Sequence, residues 1–368
     1  MEKLRYIDEF RNPEVAKYLL DKIKAVSKTP IRLMEVCGTH TMSIGRYGLR
    51  GLLPEHIKLI SGPGCPVCVT AAREIDMMIK LASYDVIVTT FGDLMRVPGT
   101  KTNLQQERAN GADVRVVYSP FDALNIALNN PQRPVVFLGV GFETTAPSIA
   151  ATIKMAQEKN VDNFFVFSAH KLMPPAMEAL ISSPELKIDG FICPGHVSVM
   201  IGLKPYQKLV EKYQVPCVVT GFEPVDILQG ILMLVKQIEE KSPKAEIQYS
   251  RVVKPEGNPK AMALMFDVFE PADTAWRGIG VIPGSGLVIR EKYAAHDVLR
   301  KFNLEIGESK EPPGCRCGDV LKGLITPPEC PLFGKVCTPT HPVGPCMVSS
   351  EGSCAAYYKY HDWEGSDV

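Results

Sequence analysis

The sequence predicts an α/β protein in which two similar parallel-sheet α/β domains precede a smaller, loop-rich C-terminal domain. From residue 31 to about residue 240 one theme recurs: a short apolar run, a loop carrying Gly with a polar or Cys residue, then a helical pattern. The apolar runs do not alternate with polar residues, as expected of parallel strands buried on both faces. After Glu240 the rhythm stops, and six of the eleven cysteines fall between Cys315 and Cys354.

Strands are expected at Ile31 to Val36, Ile57 to Ile60, Val86 to Thr90, Val114 to Tyr118, Val135 to Val140, Phe164 to Ser168, Phe191 to Cys193 and Cys217 to Thr220. Residues 1–130 form the first expected domain and 131–240 the second, with α/β units starting near residues 30 and 134. Paired motifs suggest a duplication, because VCGTHT and VGFETT, SGPGCPVC and CPGHVSV, and TTFGDL and TGFEPV follow strands in the same order. Loops at the carboxyl edge of open α/β sheets are the usual ligand site. Residues 241–368 form the third expected domain, with an extended pair at Ala261 to Phe269 and Gly278 to Val288 and a helix from Glu291 to Phe302. Its tail holds eight prolines and five glycines between Pro312 and Pro345, too many for regular structure, and lacks apolar residues for a core of its own. A metal cluster would supply one.

Composition narrows the function. With 45% hydrophobic and 22% charged residues the chain can bury a full core. Lys plus Arg and Asp plus Glu both number 41, which argues against a nucleic-acid partner. MEKLRYIDEFRNPEV lacks the apolar centre of a signal peptide, and no later stretch is apolar for 18 residues, so a cytoplasmic protein off the membrane is expected. In that compartment ordinary thiols stay reduced, so eleven cysteines point to metal binding or redox chemistry rather than a disulfide framework.

The tail spacing is C-x-C-x12-C-x6-C-x8-C-x7-C. Four thiolates around one cube make a 4Fe-4S site, whereas a structural zinc site usually shows two C-x2-C knuckles, absent here. Six cysteines exceed four ligands and leave two for a dithiol. This arrangement resembles ferredoxin:thioredoxin reductase, in which a C-x-C pair supplies one cluster ligand and one redox thiol. That resemblance makes Cys315 a ligand and Cys317 a redox thiol. Cys330, Cys337 and Cys354 are taken as the other ligands and Cys346 as the partner of Cys317, although spacing alone does not fix the connectivity.

Upstream, Gly62-Pro-Gly-Cys65-Pro-Val-Cys68 runs from a strand into the helical pattern Ala71 to Ala82, with Cys65 opening a helix. A C-x-x-C so placed is a reactive dithiol or metal site; the plain alternative is half a zinc knuckle or two small buried side chains. In Glu35-Val-Cys37-Gly-Thr-His40-Thr a strand ends in a Gly turn with a thiol and an imidazole three residues apart, both able to face one cavity. Thiolate suits iron with strong-field ligands and imidazole can ligate or support it, while a core Cys and a satisfied His are the commoner case.

Gly141-Phe-Glu143-Thr-Thr, Ser168-Ala-His170-Lys171, Pro194-Gly-His196-Val-Ser198 and Gly221-Phe-Glu223-Pro-Val-Asp226 also follow strands, and each reads singly as turn chemistry. Cys193 and Cys217 are expected to be buried strand residues, and His56, His296, His341 and His361 to be solvated. No phosphate loop occurs, and Gly278-Ile-Gly280 lacks the spacing of a dinucleotide fingerprint.

Together EVCGTHT, SGPGCPVC, GFETTAP, CPGHVSVMIG, GFEPVD and CRCGDVLKG, CPLFGKVCTP and GPCMVSSEGSCAAYYKY resemble the HypD family of hydrogenase maturation proteins over nearly the whole chain. The resemblance implies two α/β domains and an iron-sulfur domain. It also implies a complex with a HypC-type chaperone on which iron acquires carbon monoxide and cyanide ligands, the cyanide arriving from a HypE-type donor. By the same resemblance Cys37 is the iron-binding thiol and Cys65 and Cys68 the essential dithiol, on a redox-active scaffold rather than an established turnover enzyme. The expected mechanism places iron on Cys37 and a chaperone thiolate, with His40 nearby. Electrons then pass among the cluster, the Cys317 and Cys346 pair and the Cys65 and Cys68 dithiol. A cluster-dependent protein disulfide reductase and a zinc-stapled interaction protein are the competing readings.

Overall fold

A computed structural model describes residues 8–360 and divides the strands between two parallel sheets and one hairpin. The first sheet has the order β2 (Ile57–Ser61), β1 (Ile31–Glu35), β7 (Gly190–Pro194), β8 (Cys217–Thr220), β9 (Ala245–Ile247). The second has the order β4 (Val114–Val116), β3 (Ile87–Thr90), β5 (Val135–Gly139), β6 (Phe164–Ser168). All pairings within both sheets are parallel, so the strands are joined by crossovers and their carboxyl ends share an edge. The eight expected strands all occur, within two residues of the expected ends.

Their grouping differs from the expected halves. After β2 the chain leaves the first sheet, builds the whole second sheet, and returns at Gly190 to pair β7 with β1. The sheets therefore do not divide at residue 130: the first draws strands from residues 31–61 and 190–247, the second from 87–168. Repeated loop motifs mark equivalent strand ends but cannot reveal which strand lies beside which, because backbone pairing leaves little trace in a buried apolar run.

Capping and amphipathicity account for the helices over the first sheet. Asn12 accepts hydrogen bonds from the Glu14 and Val15 N–H groups, opening Pro13–Val26 with Pro in the first turn. That helix packs on Pro224–Glu239, whose Ile227, Leu228, Ile231, Leu234 and Val235 cover β1, β7 and β8. No helix among the described residues is long and apolar enough to cross a membrane.

Residues 241–360 do not form one unit. Ala261 to Val268, expected as extended, lie in the helix Pro259–Val268. The Asn258 side chain caps its start, and Met265 and Val268 bury one face at a helical interval. The extended pair is instead β10 (Phe269–Trp276) with β11 (Gly280–Ile289), an antiparallel hairpin. The expected helix from Glu291 is a 3-10 segment Glu291–His296 and a single turn Val298–Lys301, separated at Asp297, which caps the second. Met265, Phe269, Leu287 and Ile289 join the core of the second sheet. The cysteine-rich tail joins the core that lies between the sheets, so it borrows the packing it lacks.

One ion pair ties three of these parts together. The Lys171 side chain, fully buried after β6, donates to both Glu74 carboxylate oxygens at 2.8 Å and to the Thr274 hydroxyl at 2.8 Å. Glu74→Gln leaves that ammonium buried without its counter-charge and is expected to destabilise the protein by about 3 to 5 kcal/mol. Urea unfolding measures the loss. Replacing both partners, Glu74→Leu with Lys171→Met, is expected to recover most of it.

Candidate functional site

The carboxyl edges of both sheets open on one cavity of about 420 Å³. The first sheet supplies Cys37 and Gly64 from the loops after β1 and β2, and His196 from the start of the helix Gly195–Ile201 that follows β7; the second supplies Phe142 and Thr145 from the loop after β5. Glu351, from the tail, closes the lining.

Two glycines set the loop positions. A side chain at Gly64 would place its Cβ 2.3 Å from the Cys37 nitrogen, and the Gly38 N–H donates to the Gly64 carbonyl at 3.1 Å. The dithiol loop therefore lies directly on the Cys37 loop. Gly38 in turn has the Glu351 backbone against it, where a Cβ would come within 2.3 Å of the carbonyl oxygen, and the Thr39 hydroxyl donates to the Glu351 carboxylate at 2.9 Å. The tail is thus pressed onto the start of the helix Gly38–Arg46.

Below Cys37 lies Glu35, fully buried. It accepts from the Cys37 N–H at 3.1 Å and the Thr41 hydroxyl at 2.5 Å, and burial raises its carboxyl to about 7 against those hydrogen bonds. Burial, reinforced by the charge of Glu351, pushes the Cys37 thiol up to about 12. Without a cation Cys37 is a neutral thiol; a bound metal ion is what favours its thiolate.

His40 does not line the cavity. Its Nε2 lies 3.0 Å from the Gly221 carbonyl and 2.8 Å from the Thr220 hydroxyl, so the ring fastens the Cys37 helix to the loop after β8. Burial lowers its pKa to about 4, and it packs on Phe222 with ring centroids 4.7 Å apart. The imidazole that does line the cavity is His196, which is exposed and stacks on the same Phe222 ring at 4.1 Å. Its motif is legible as a loop after a strand, without a reason to rank it above the others. Glu351 carries no sequence signal at all, since its role arises from where the tail lands.

Cys65 caps the turn Pro66–Val69, its sulfur accepting from the Cys68 N–H at 3.2 Å. Cys68 donates to the Pro345 carbonyl at 3.8 Å and lies beside Cys346, which also neighbours Cys317 and Cys354. The neighbouring Cys317, Cys354 and Cys68 pull Cys346 well below the usual thiol range, while burial pushes Cys68 up and the neighbouring sulfurs push Cys354 up. The expected Cys317 and Cys346 partners therefore meet. Cys354 lies beside these two sulfurs. Cys315 contacts Cys317, and both sulfurs lie 2.6 and 2.7 Å from where a Gly344 side chain would begin. Cys337 accepts from the Val343 N–H at 3.4 Å, and a tight turn joins it to Cys330, also buried.

Among the described residues no group of three or more His, Cys, Asp or Glu side chains is preset around a single ion. The donors of the tail are soft thiols, the class that sulfur-ligated clusters take, and Gly344 is packed so closely on the Cys315 and Cys317 sulfurs that only glycine leaves them room.

His296 is buried rather than solvated, with Nδ1 2.9 Å from the Phe164 carbonyl, and His56 pairs with Ser27 at 2.6 Å. His341 is exposed, as expected, and His361 lies outside the described residues. Cys193 and Cys217 are buried strand residues, as expected.

The family model HypD, described as "Hydrogenase formation hypA family", matches residues 14–361. The hydrogenase maturation factor HypD2 of Bradyrhizobium diazoefficiens is 47% identical, covering 97% of each chain. HypD of Rhodobacter capsulatus is 48% identical over 97% of this chain and 98% of its own, and HypD of Escherichia coli strain K12 is 45% identical over 98% and 99%. With its motif loops gathered at one cavity and this likeness running from end to end, the chain belongs to the HypD family of hydrogenase maturation factors.

Proposed function

We propose that this maturation factor is the scaffold on which the iron of a hydrogenase receives its cyanide and carbon monoxide ligands, in complex with a HypC-type chaperone and with cyanide from a HypE-type donor. The observation that carries this reading is the juxtaposition at Gly64: a single cavity thiol, Cys37, with a dithiol loop locked against its backbone. Cys37 would hold the iron cargo as a thiolate, the chaperone supplying a second sulfur through the cavity mouth. His40 fixes the Cys37 helix rather than binding iron, because its ring lies outside the cavity lining and its Nε2 is engaged by Gly221 and Thr220.

The tail would hold a 4Fe-4S cluster through Cys315, Cys330, Cys337 and Cys354, which when bound supplies or accepts single electrons. The remaining sulfurs are arranged for thiol exchange. When Cys65 and Cys68 are joined as a disulfide, the Cys346 thiolate attacks Cys68, forming a Cys346–Cys68 bond and releasing Cys65 as thiolate. Attack by Cys317 on Cys346 then yields a Cys317–Cys346 disulfide and frees Cys68, so two electrons have moved to the dithiol beside Cys37. Contact of Cys346 with both Cys68 and Cys317 supports this order.

Burial argues against a disulfide reductase acting on other proteins. Cys65 is 3% exposed and Cys68 and Cys346 are fully buried, so a partner's disulfide has no sulfur to meet. A zinc-stapled protein would need no chain of sulfurs leading from the tail to the cavity.

Anaerobic co-purification with the HypC-type partner, followed by infrared and visible spectra of the same sample, tests the reading. Cyanide and carbonyl bands are expected together with charge-transfer absorption, iron and acid-labile sulfide; zinc in their place would overturn it. Cys37→Ser is expected to abolish the infrared bands while leaving the cluster absorption intact. Cys346→Ser is expected to slow reduction of the Cys65 and Cys68 disulfide by tenfold or more, read by thiol trapping. Gly64→Ala forces the two loops apart, with an expected loss of about 1 to 3 kcal/mol in stability and of the infrared bands.

A further inference from the structure

The turn between β10 and β11 sets a buried cation between the two thiol elements. Arg277 donates from its backbone N–H to the Val69 carbonyl at 2.8 Å and from Nε to the Thr70 carbonyl at 3.0 Å, so it caps the carboxyl end of the dithiol turn Pro66–Val69. One residue on, Gly278 lies against Gly318 in the C-x-C helix Cys317–Leu321, so closely that a Cβ there would meet the Gly318 Cα at 2.1 Å. The Arg277 side chain is 1% exposed. Its Nη1 pairs with Glu311, a half-exposed carboxylate, while its Nη2 is buried with no hydrogen-bond partner. A buried guanidinium donor without an acceptor is costly and calls for one.

We propose that Arg277 is the resident counter-cation of the tail's iron-sulfur site, its free Nη2–H serving a thiolate or sulfide sulfur there and raising the site's reduction potential. This rests on the cluster assigned above. A cube held by thiolates gains one negative charge on reduction, so a fixed cation and an N–H donor at its sulfur favour the reduced form. Glu311 opposes this from the rim. Arg277 is a positioning and tuning residue, not a ligand.

The test is a redox titration of the anaerobic full-length protein, with the midpoint read from visible absorption and electron paramagnetic resonance, and with iron and sulfide measured on each sample. Arg277→Gln is expected to shift the midpoint to more negative potential at unchanged cluster content. Arg277→Lys, keeping charge but losing the Nη2 donor, is expected to fall between. Glu311→Gln, at an exposed position that does not threaten folding, is expected to shift it the other way. An unchanged midpoint in Arg277→Gln would overturn the proposal; if that variant does not fold, an unchanged midpoint in Glu311→Gln overturns it alone. Wild-type protein lacking iron and sulfide would sink the cluster assignment itself, a different result from a loaded cluster indifferent to Arg277.

Discussion

Close backbone approach at Gly38 and Gly64 is the constraint on which the rest of the site depends. At both positions a single methyl group would collide with main-chain atoms, of Glu351 in one case and of Cys37 in the other. Because main chain cannot swing aside as a flexible side chain can, these contacts fix three separate segments against one another. The cavity thiol, the dithiol and the tail are placed by them, and the positions of the side chains are set in turn.

Bringing these segments together creates a dry sulfur core with unequal electrostatics. Desolvation alone would hold every buried thiol protonated, and it does so for Cys37, where the nearby carboxylates oppose ionisation further. Cys346 is the exception: its neighbours Cys317, Cys354 and Cys68 pull it below the usual thiol range in spite of burial. The one sulfur so favoured lies beside both Cys68 and Cys317. Glu35 is poised differently: its neutral and ionised forms both lie within reach near neutrality, since burial raises its carboxyl only part of the way against the hydrogen bonds it accepts.

The strands and the motif loops are legible in the sequence because each depends on local pattern: unalternating apolar runs, glycines after strands, a proline inside the C-x-x-C. The crossing of the chain between two sheets is not, since β1 pairs with β7 through contacts more than 150 residues apart that leave no local mark. Residues 261–268 read as extended because a short apolar run carries both periods, and the Asn258 cap with Pro259 is the sign of a helix that the apolar run obscures. His40 and His196 show the same limit at the site. The thiol and imidazole spacing in the Cys37 loop is suggestive, yet the helix turns His40 toward the loop after β8, while His196, in a motif that reads as a plain turn, reaches the cavity. Arg277 and Glu351 have no sequence signal because each is significant only through what the fold sets beside it.

The tail's poverty in apolar residues has a consequence for how its sulfurs can be used. A segment with a core of its own could pack independently and present its thiols to solvent; this one is held by Phe333, Met347 and Tyr357 against the core between the sheets. Five of its six sulfurs are therefore buried by the same packing that brings Cys346 to Cys68. Thiols so enclosed exchange with one another far more readily than with soluble disulfides, because attack requires access along the sulfur–sulfur axis. Burial thus does two things at once: it gives the segment its stability, and it keeps soluble disulfides away from Cys65, Cys68 and Cys346.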